Sequence, residues 1–110
     1  MVFKPILTKK EVKGVVAEFR RELEKRGISV DRMILFGSYA SGKPHPWSDI
    51  DVCVLSGQFG KNDFDEMVRI SKIAKGVNYL LETFPLNPRD YQEGLHPFSE
   101  EIRKKGKEFG

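Results

Sequence analysis

The 110-residue sequence contains a single cysteine, Cys53, and has no long run of apolar residues. One cysteine excludes an intrachain disulfide and a zinc site built from several cysteines, and it fits a reducing compartment. The N-terminal stretch MVFKPILTKK lacks the apolar core that a signal peptide needs. No apolar run approaches the roughly 20 residues that span a bilayer. These absences predict a soluble cytoplasmic protein.

The sequence also lacks a large excess of positive or negative charge. The formal net charge is +3, which does not indicate a nucleic-acid-binding surface, although it suits an anionic substrate such as a nucleotide. A chain of this length buries one modest core. We therefore expect a single domain over residues 1–110.

Hydrophobic periodicity predicts six elements in the order α-β-β-α-β-α. Thr8 and Glu11 have the spacing of a capping box at the start of the first helix, and Pro85 and Pro88 are expected to end the third strand. The expected bounds are 28–36, 49–55 and 77–84 for the strands, 9–26, 62–76 and 99–107 for the helices, and 38–41 and 88–92 for two short helical turns. This order predicts an α/β (α+β) fold with a mixed sheet and helices packed on it.

Two carboxylates stand in the second predicted strand, shortly after a Gly-Ser turn. Asp49, Asp51 and Cys53 should share one face of that strand, because alternate residues of a strand point the same way. Neighbouring carboxylates repel each other, and burying either one without a partner is costly. A cation between them relieves the repulsion, and a set of oxygen ligands suits Mg²⁺ or Mn²⁺ rather than zinc.

The turn before these carboxylates has the residues that a phosphate site needs. Gly37 allows a sharp bend and a close approach of ligand, while the following N–H groups and the Ser38 hydroxyl would attract phosphate. Beside a metal site, this turn could hold a triphosphate for attack on its α-phosphate. A third carboxylate, Glu82, would reach the same pocket if the third strand lies next to the second.

The stretch FGSYASGKPHPWSDIDVCV resembles the signature of the minimal nucleotidyltransferases of the DNA polymerase beta superfamily. In that family a Gly-Ser turn precedes Ser-Asp-x-Asp inside a hydrophobic strand. The leading helix, the strand spacing and the segment His96-Pro97-Phe98 before a basic helix also fit small stand-alone members. The resemblance therefore extends over nearly the whole chain and implies the small nucleotidyltransferase fold.

The resemblance also implies an activity and its residues. The activity is the transfer of a nucleoside monophosphate from an NTP, expected to be ATP, to a hydroxyl acceptor, with Mg²⁺ or Mn²⁺ as cofactor. The residues implied are Asp49, Asp51 and Glu82 as catalytic, metal-binding carboxylates and Gly37, Ser38, Lys43 and Ser48 as nucleotide-binding residues.

Small members of this family often pair with a helical companion protein. The resemblance therefore implies a companion, or a second copy of the chain, that supplies the acceptor, and it makes this chain an expected antitoxin of a toxin–antitoxin pair. The family commonly has an arginine where Ser41 stands. That departure favours the alternative of a catalytically weak module that binds nucleotide and acts by masking its partner. Nucleic acid and membrane are not expected as partners.

Other residues allow a structural and a functional interpretation. Trp47 could stack on a nucleobase or cover the core beneath its loop, and we expect the second. We expect Cys53 to be a small buried thiol. The basic residues Arg103, Lys104, Lys105 and Lys107 are expected to form a solvated helix end, which is favourable at a helix C-terminus.

Overall fold

The computed structural model of the chain describes residues 6–94 and 99–109. The segment His96-Pro97-Phe98, which contributes to the family resemblance, lies outside the described residues. The described residues form five helices and four strands: α1 (Lys9–Lys25), β1 (Arg32–Phe36), α2 (Gly37–Ser41), β2 (Ile50–Leu55), α3 (Asp63–Val77), β3 (Leu81–Leu86), α4 (Pro88–Glu93), α5 (Ser99–Lys105) and β4 (Lys107–Phe109).

The four strands form one mixed sheet in the order β3-β2-β1-β4. Strand β1 runs antiparallel to β2 and β4, and β2 runs parallel to β3. The predicted α/β class with a mixed sheet is confirmed. The parallel pair is the consequence of α3, which connects the ends of β2 and β3 as a crossover helix.

Both faces of the sheet are covered. One face packs against α1 and α3 and holds the larger core cluster, which includes Phe19, Leu23, Val52 and Ile70. The other face holds a second cluster, in which Cys53 contacts apolar residues of the neighbouring strands and of α4 and α5. The predicted buried thiol is confirmed, because Cys53 is fully buried in this second cluster.

The predicted bounds of the first strand were too wide. Residues 28–31 precede β1 as irregular chain, although Ile28 and Val30 are buried. The Ile28 N–H donates to the Leu23 carbonyl at 3.0 Å, so this segment turns back on α1. Its apolar side chains therefore reflect burial under the helix and do not reflect strand pairing.

The third strand was predicted too early in the chain. Val77 still belongs to α3, and Asn78 forms a turn in which its side-chain oxygen accepts from the Leu80 N–H at 2.8 Å. The strand then continues through Pro85, contrary to prediction. A proline is tolerated there because β3 is an edge strand, where one N–H of each pair faces away from the sheet.

The last strand was missed by the prediction, and α5 ends two residues earlier than expected. Lys107–Phe109 shows no alternation of apolar and polar residues. The strand is held by its pairing with β1 and by Arg32, whose Nε donates to Glu108 Oε1 at 2.6 Å. These contacts come from distant parts of the chain and leave no local pattern.

The predicted helix starts are confirmed for the two long helices. The Thr8 hydroxyl accepts from the Glu11 N–H at 3.1 Å, and the Glu11 carboxylate accepts from the Thr8 N–H at 2.9 Å, which makes the expected capping box. Asn62 caps α3 by accepting from the Asp65 N–H at 3.1 Å. These two helices pack on the sheet face that holds the larger core cluster.

Candidate active site

The Gly-Ser turn directly follows β1 and lies against the second aspartate. Gly37 has φ of +73°, a left-handed conformation that favours glycine. A Cβ atom at Gly37 would overlap Asp51 Oδ2. The turn therefore needs glycine for two reasons, its backbone conformation and the close approach of the Asp51 carboxylate.

Asp51 is the central carboxylate of the site. Its position in β2 lies opposite Phe36 on β1 and opposite Glu82 on β3. Its side chain is half-buried, and burial together with the negative charges of Asp49, Glu82 and Glu101 raises the pKa of Asp51 from 3.8 to about 6. The structure thus brings several carboxylates close enough to act on one another.

Asp49 precedes β2 and is exposed. The strand begins at Ile50, one residue later than predicted, so Asp49 belongs to the loop that connects α2 to the sheet. A short turn orders this loop, because the Ser48 hydroxyl accepts from the His45 N–H at 2.7 Å and the Ser48 N–H donates to the His45 carbonyl at 3.0 Å. Ser48 thereby positions the chain just before Asp49.

Glu82 reaches the site from β3 and has a cationic partner. Lys75 Nζ donates to Glu82 Oε1 at 3.0 Å, and it also donates to the carbonyls of Tyr79 and Leu81 at 2.9 and 2.7 Å. The lysine is therefore fixed by three oxygens. This ion pair orients Glu82 at the edge of the site.

A cavity of about 290 Å³ opens beside the turn. Its lining residues are Gly37, Ser38, Ser41, Lys43, His45, Glu101 and Lys105. Three of these residues, Lys43, His45 and Lys105, have basic nitrogen atoms in their side chains. Ser41 carries no charge, and its hydroxyl donates to the Ser38 carbonyl at 3.0 Å. The cavity therefore combines backbone of the turn with lysine side chains, which suits an anion.

Two residues of this cavity were missed by the sequence analysis. Glu101 and Lys105 lie four residues apart on α5, a spacing that places them on one face of a helix. Lys105 was expected only as part of a solvated helix end. The sequence shows that the two share a face, but it does not show that this face meets the turn after β1.

Trp47 does not cover the core, contrary to the preferred expectation. Half of its side chain is exposed, at 50%, and it belongs to neither core cluster. Its φ of +62° is left-handed, in a turn whose second residue is Pro46. Glycine or asparagine usually occupies such a position, so a bulky side chain is held there at a cost in backbone energy.

Replacement of Trp47 by asparagine is expected to leave the melting temperature unchanged or to raise it. Asparagine tolerates the left-handed conformation, and little packing is lost from an exposed side chain. The measurement is thermal unfolding followed by circular dichroism, with Trp47→Val as a control that a β-branched residue should destabilise. A fall in Tm of more than about 4 °C, equivalent to about 1 kcal/mol, for the asparagine variant would show that Trp47 stabilises the fold.

The donor set has the chemistry that a hard divalent cation requires. Asp49, Asp51 and Glu82 offer carboxylate oxygens, and burial together with the neighbouring negative charges raises the pKa of Asp51. Within residues 6–94 and 99–109, however, no three His, Cys, Asp or Glu side chains are grouped closely enough to hold a metal ion. Among these described residues, the three carboxylates therefore do not by themselves complete a metal site.

A family model matches most of the chain. The model of the nucleotidyltransferase domain matches residues 16–106. The chain therefore belongs to the nucleotidyltransferase domain family, and the predicted enzyme class, a transferase of phosphorus-containing groups, is confirmed. A comparison with curated proteins gives no significant match.

Solved structures share the fold at low sequence identity. The chain is similar to a Sulfolobus solfataricus protein classed as a nucleotidyltransferase, with a TM-score of 0.66 and 20% identity over 90% of this chain and 79% of that chain. It is similar to a chain of a toxin–antitoxin complex with AMP-PNP, with a TM-score of 0.63 and 19% identity over 89% and 72% of the two chains. It is also similar to a chain of the toxin–antitoxin complex MntA–HpeT, in a double Asp-to-Glu mutant, with a TM-score of 0.58 and 20% identity over 86% and 71%.

In the part of the chain that the structure describes, no helix is long and apolar enough to cross a bilayer.

Proposed function

We propose that this chain, as a single domain, transfers a nucleoside monophosphate from ATP to a hydroxyl group on a partner protein. The observation that carries the proposal is the packing of the Asp51 carboxylate against the backbone of Gly37, with Glu82 opposite it on the next strand. A phosphate held by the turn would lie next to these carboxylates. Proximity of this kind is what in-line transfer of a nucleotidyl group needs.

The proposed roles are those that the family resemblance implies. The catalytic carboxylates, which would hold Mg²⁺ or Mn²⁺, are Asp49, Asp51 and Glu82. The nucleotide-binding residues are Gly37, Ser38, Lys43 and Ser48. Bound there, the ion would stabilise the charge that develops on the α-phosphate and on the departing pyrophosphate.

Three side chains have proposed roles that do not involve a bound ion. Lys43 lines the cavity beside Gly37 and Ser38, where its ammonium group would balance phosphate charge in place of the arginine that is absent at Ser41. Glu82, oriented by its ion pair with Lys75, would accept the proton of the attacking hydroxyl. Ser48 orders the loop before Asp49 and thereby fixes where that carboxylate is presented.

The partner is proposed from the similar structures. Two of them are chains of toxin–antitoxin complexes, and one of these complexes contains AMP-PNP. We accordingly propose that the chain acts as the antitoxin of such a pair and that the acceptor is a hydroxyl, such as that of a tyrosine, on a helical companion protein or on a second copy of the chain.

A second candidate function is a catalytically weak module that binds nucleotide and masks its partner. It is favoured by Ser41, whose hydroxyl is turned back to the Ser38 carbonyl and supplies no positive charge to the cavity. Under this alternative, complex formation with the companion protein would be retained and no nucleotide would be transferred.

Transfer of label separates the two functions. The chain is incubated with ATP labelled at the α-phosphate, Mg²⁺ and the product of the gene next to its own, and label on that product is measured after denaturing electrophoresis. We expect label on the companion with the unaltered chain and none with Asp49→Ala or Asp51→Ala. Companion binding without label would favour the masking module, and label that survives Asp51→Ala would contradict the proposed site.

A further inference from the structure

The final helix of the described chain forms one wall of the cavity beside the Gly-Ser turn. Glu101 and Lys105 of α5 line this cavity of about 290 Å³ together with Ser38 and Lys43. The negative charge of Glu101 also acts on Asp51. Residues from distant parts of the sequence are therefore combined in one pocket, and neither the turn nor the paired aspartates requires this helix to be there.

The orientation of α5 is fixed by buried contacts on its other side. Ile102 is 1% exposed and belongs to the core cluster of the second sheet face. A Cβ atom at Gly106 would overlap both the Ile102 carbonyl oxygen and Ile34 Cγ2 on β1. Because the helix is closely packed there, the face that bears Glu101 and Lys105 is held toward the cavity.

The lysines of α5 differ in their ionic partners. Lys104 Nζ pairs with Glu100 Oε1 at 2.9 Å on the exposed surface. Lys105 has no carboxylate within 4.0 Å among residues 6–94 and 99–109, although Glu101 is one helical turn away. Lys105 and Lys43 thus contribute two cationic side chains to the lining of the cavity against the one carboxylate of Glu101, and an anion is the ligand that would balance the remaining positive charge.

We infer that Lys105 binds the polyphosphate of the nucleotide, so that α5 completes the substrate site of this chain. This inference rests on the proposed function, since it assigns a binding residue to the same nucleotide. Lys105 supplies, from the wall that α5 forms in the same cavity, positive charge that Ser41 does not provide. It contacts the β- and γ-phosphates, and it therefore determines the preference for a nucleoside triphosphate over a monophosphate.

The test compares two lysine variants of the same helix. Dissociation constants for ATP and for AMP are measured by isothermal titration calorimetry with MgCl₂ present and with the companion protein left out, so that no transfer takes place. Lys105→Ala is expected to weaken ATP binding about tenfold and to leave AMP binding unchanged, because a charge-assisted contact to phosphate is lost. Lys104→Ala removes the same charge from the exposed surface and is expected to change neither constant by more than about twofold.

Kinetics and stability give the complementary measurements. In the label-transfer assay, Lys105→Ala is expected to raise the KM for ATP with little change in kcat, and Lys105→Arg should restore most of the affinity. The Tm of both alanine variants should equal that of the unaltered chain. A Kd for ATP that is the same in Lys105→Ala and Lys104→Ala would overturn the inference, as would an equal loss of ATP and AMP affinity.

The outcomes also separate this inference from the proposed function. If the unaltered chain binds ATP, loses that affinity in Lys105→Ala and transfers no label, the role of Lys105 is supported and the transferase activity is not. If label is transferred and Lys105→Ala binds ATP normally, the transferase activity is supported and the role of Lys105 is wrong. If the unaltered chain binds no ATP, both proposals are wrong.

Discussion

Replacement of Asp51 by asparagine is expected to abolish nucleotidyl transfer and, at the same time, to make the metal-free protein more stable. The loss of activity should be on the order of 10³-fold, because the variant removes the central carboxylate that would hold the cation and the triphosphate together. Label transfer to the companion protein measures this loss. The gain in stability has a separate cause, which is electrostatic.

The cause is the cost of an ionised Asp51 in the folded chain. Burial and the charges of Asp49, Glu82 and Glu101 raise its pKa from 3.8 to about 6. Below pH 3.8 the carboxyl is protonated in both the folded and the unfolded chain, and ionisation contributes no cost. As the pH rises toward 6 the unfolded state ionises first, so the folded state becomes less stable. Asparagine has no charge and avoids this cost.

The expected difference is modest and depends on pH. Since the side chain is half exposed, solvent screening reduces the effect to about 1 kcal/mol, or a rise of about 4 °C in Tm. The measurement is the Tm of Asp51→Asn minus that of the unaltered chain in EDTA, from pH 3.5 to pH 8, which cancels the other titrating groups. The difference should be near zero at the acid end and largest above pH 6. A lower Tm for Asp51→Asn at neutral pH would show that the carboxylate stabilises the fold.

Replacement of Gly37 by alanine is expected to reduce both activity and stability. The added Cβ would overlap Asp51 Oδ2, and alanine is disfavoured at a φ of +73°. Since Asp51 or the turn must move, we expect a loss of about 2 to 4 kcal/mol of unfolding free energy and at least about a hundredfold loss of transfer. Urea unfolding and label transfer measure the two effects.

Gly42 provides the matched control for this variant. It lies at the other end of α2 with a similar φ of +75°, and a Cβ there would have no atom within 4 Å. Gly42→Ala therefore introduces the same backbone strain without the contact to Asp51, and it should cost about 1 kcal/mol and keep transfer. Equal losses for the two glycine variants would show that conformation alone, and not the Asp51 contact, requires glycine at position 37.

The sequence was sufficient to predict the elements that carry their own local signal. Thr8 with Glu11 and Asn62 mark helix starts through side-chain hydrogen bonds that the neighbouring residues determine. The apolar run before Gly37 predicts β1, although its beginning was placed too early. Strand β4 and the continuation of β3 through Pro85 could not be predicted, because they depend on which strand lies at an edge of the sheet.

The site likewise contains some features that local sequence predicts and others that depend on tertiary packing. The positions of Gly37 and Asp51 follow from a turn and a strand that are adjacent in sequence, and their spacing alone suggests a shared pocket. Tertiary packing determines the ion pair between Glu82 and Lys75. It also determines the position of α5, which places Lys105 at the cavity. Nothing in the local sequence around Lys105 specifies that contact, because a basic residue near a helix end is usually solvated.

The burial of Cys53 has a practical consequence for testing these proposals. Its side chain has 0% exposure, and burial raises the pKa of its thiol to about 12, so it stays protonated and does not react with maleimides at neutral pH. Because it is the one cysteine of the sequence, a Lys104→Cys variant would accept a fluorophore at a single point. Attached to the exposed side of α5, that dye would report docking of the companion protein in real time.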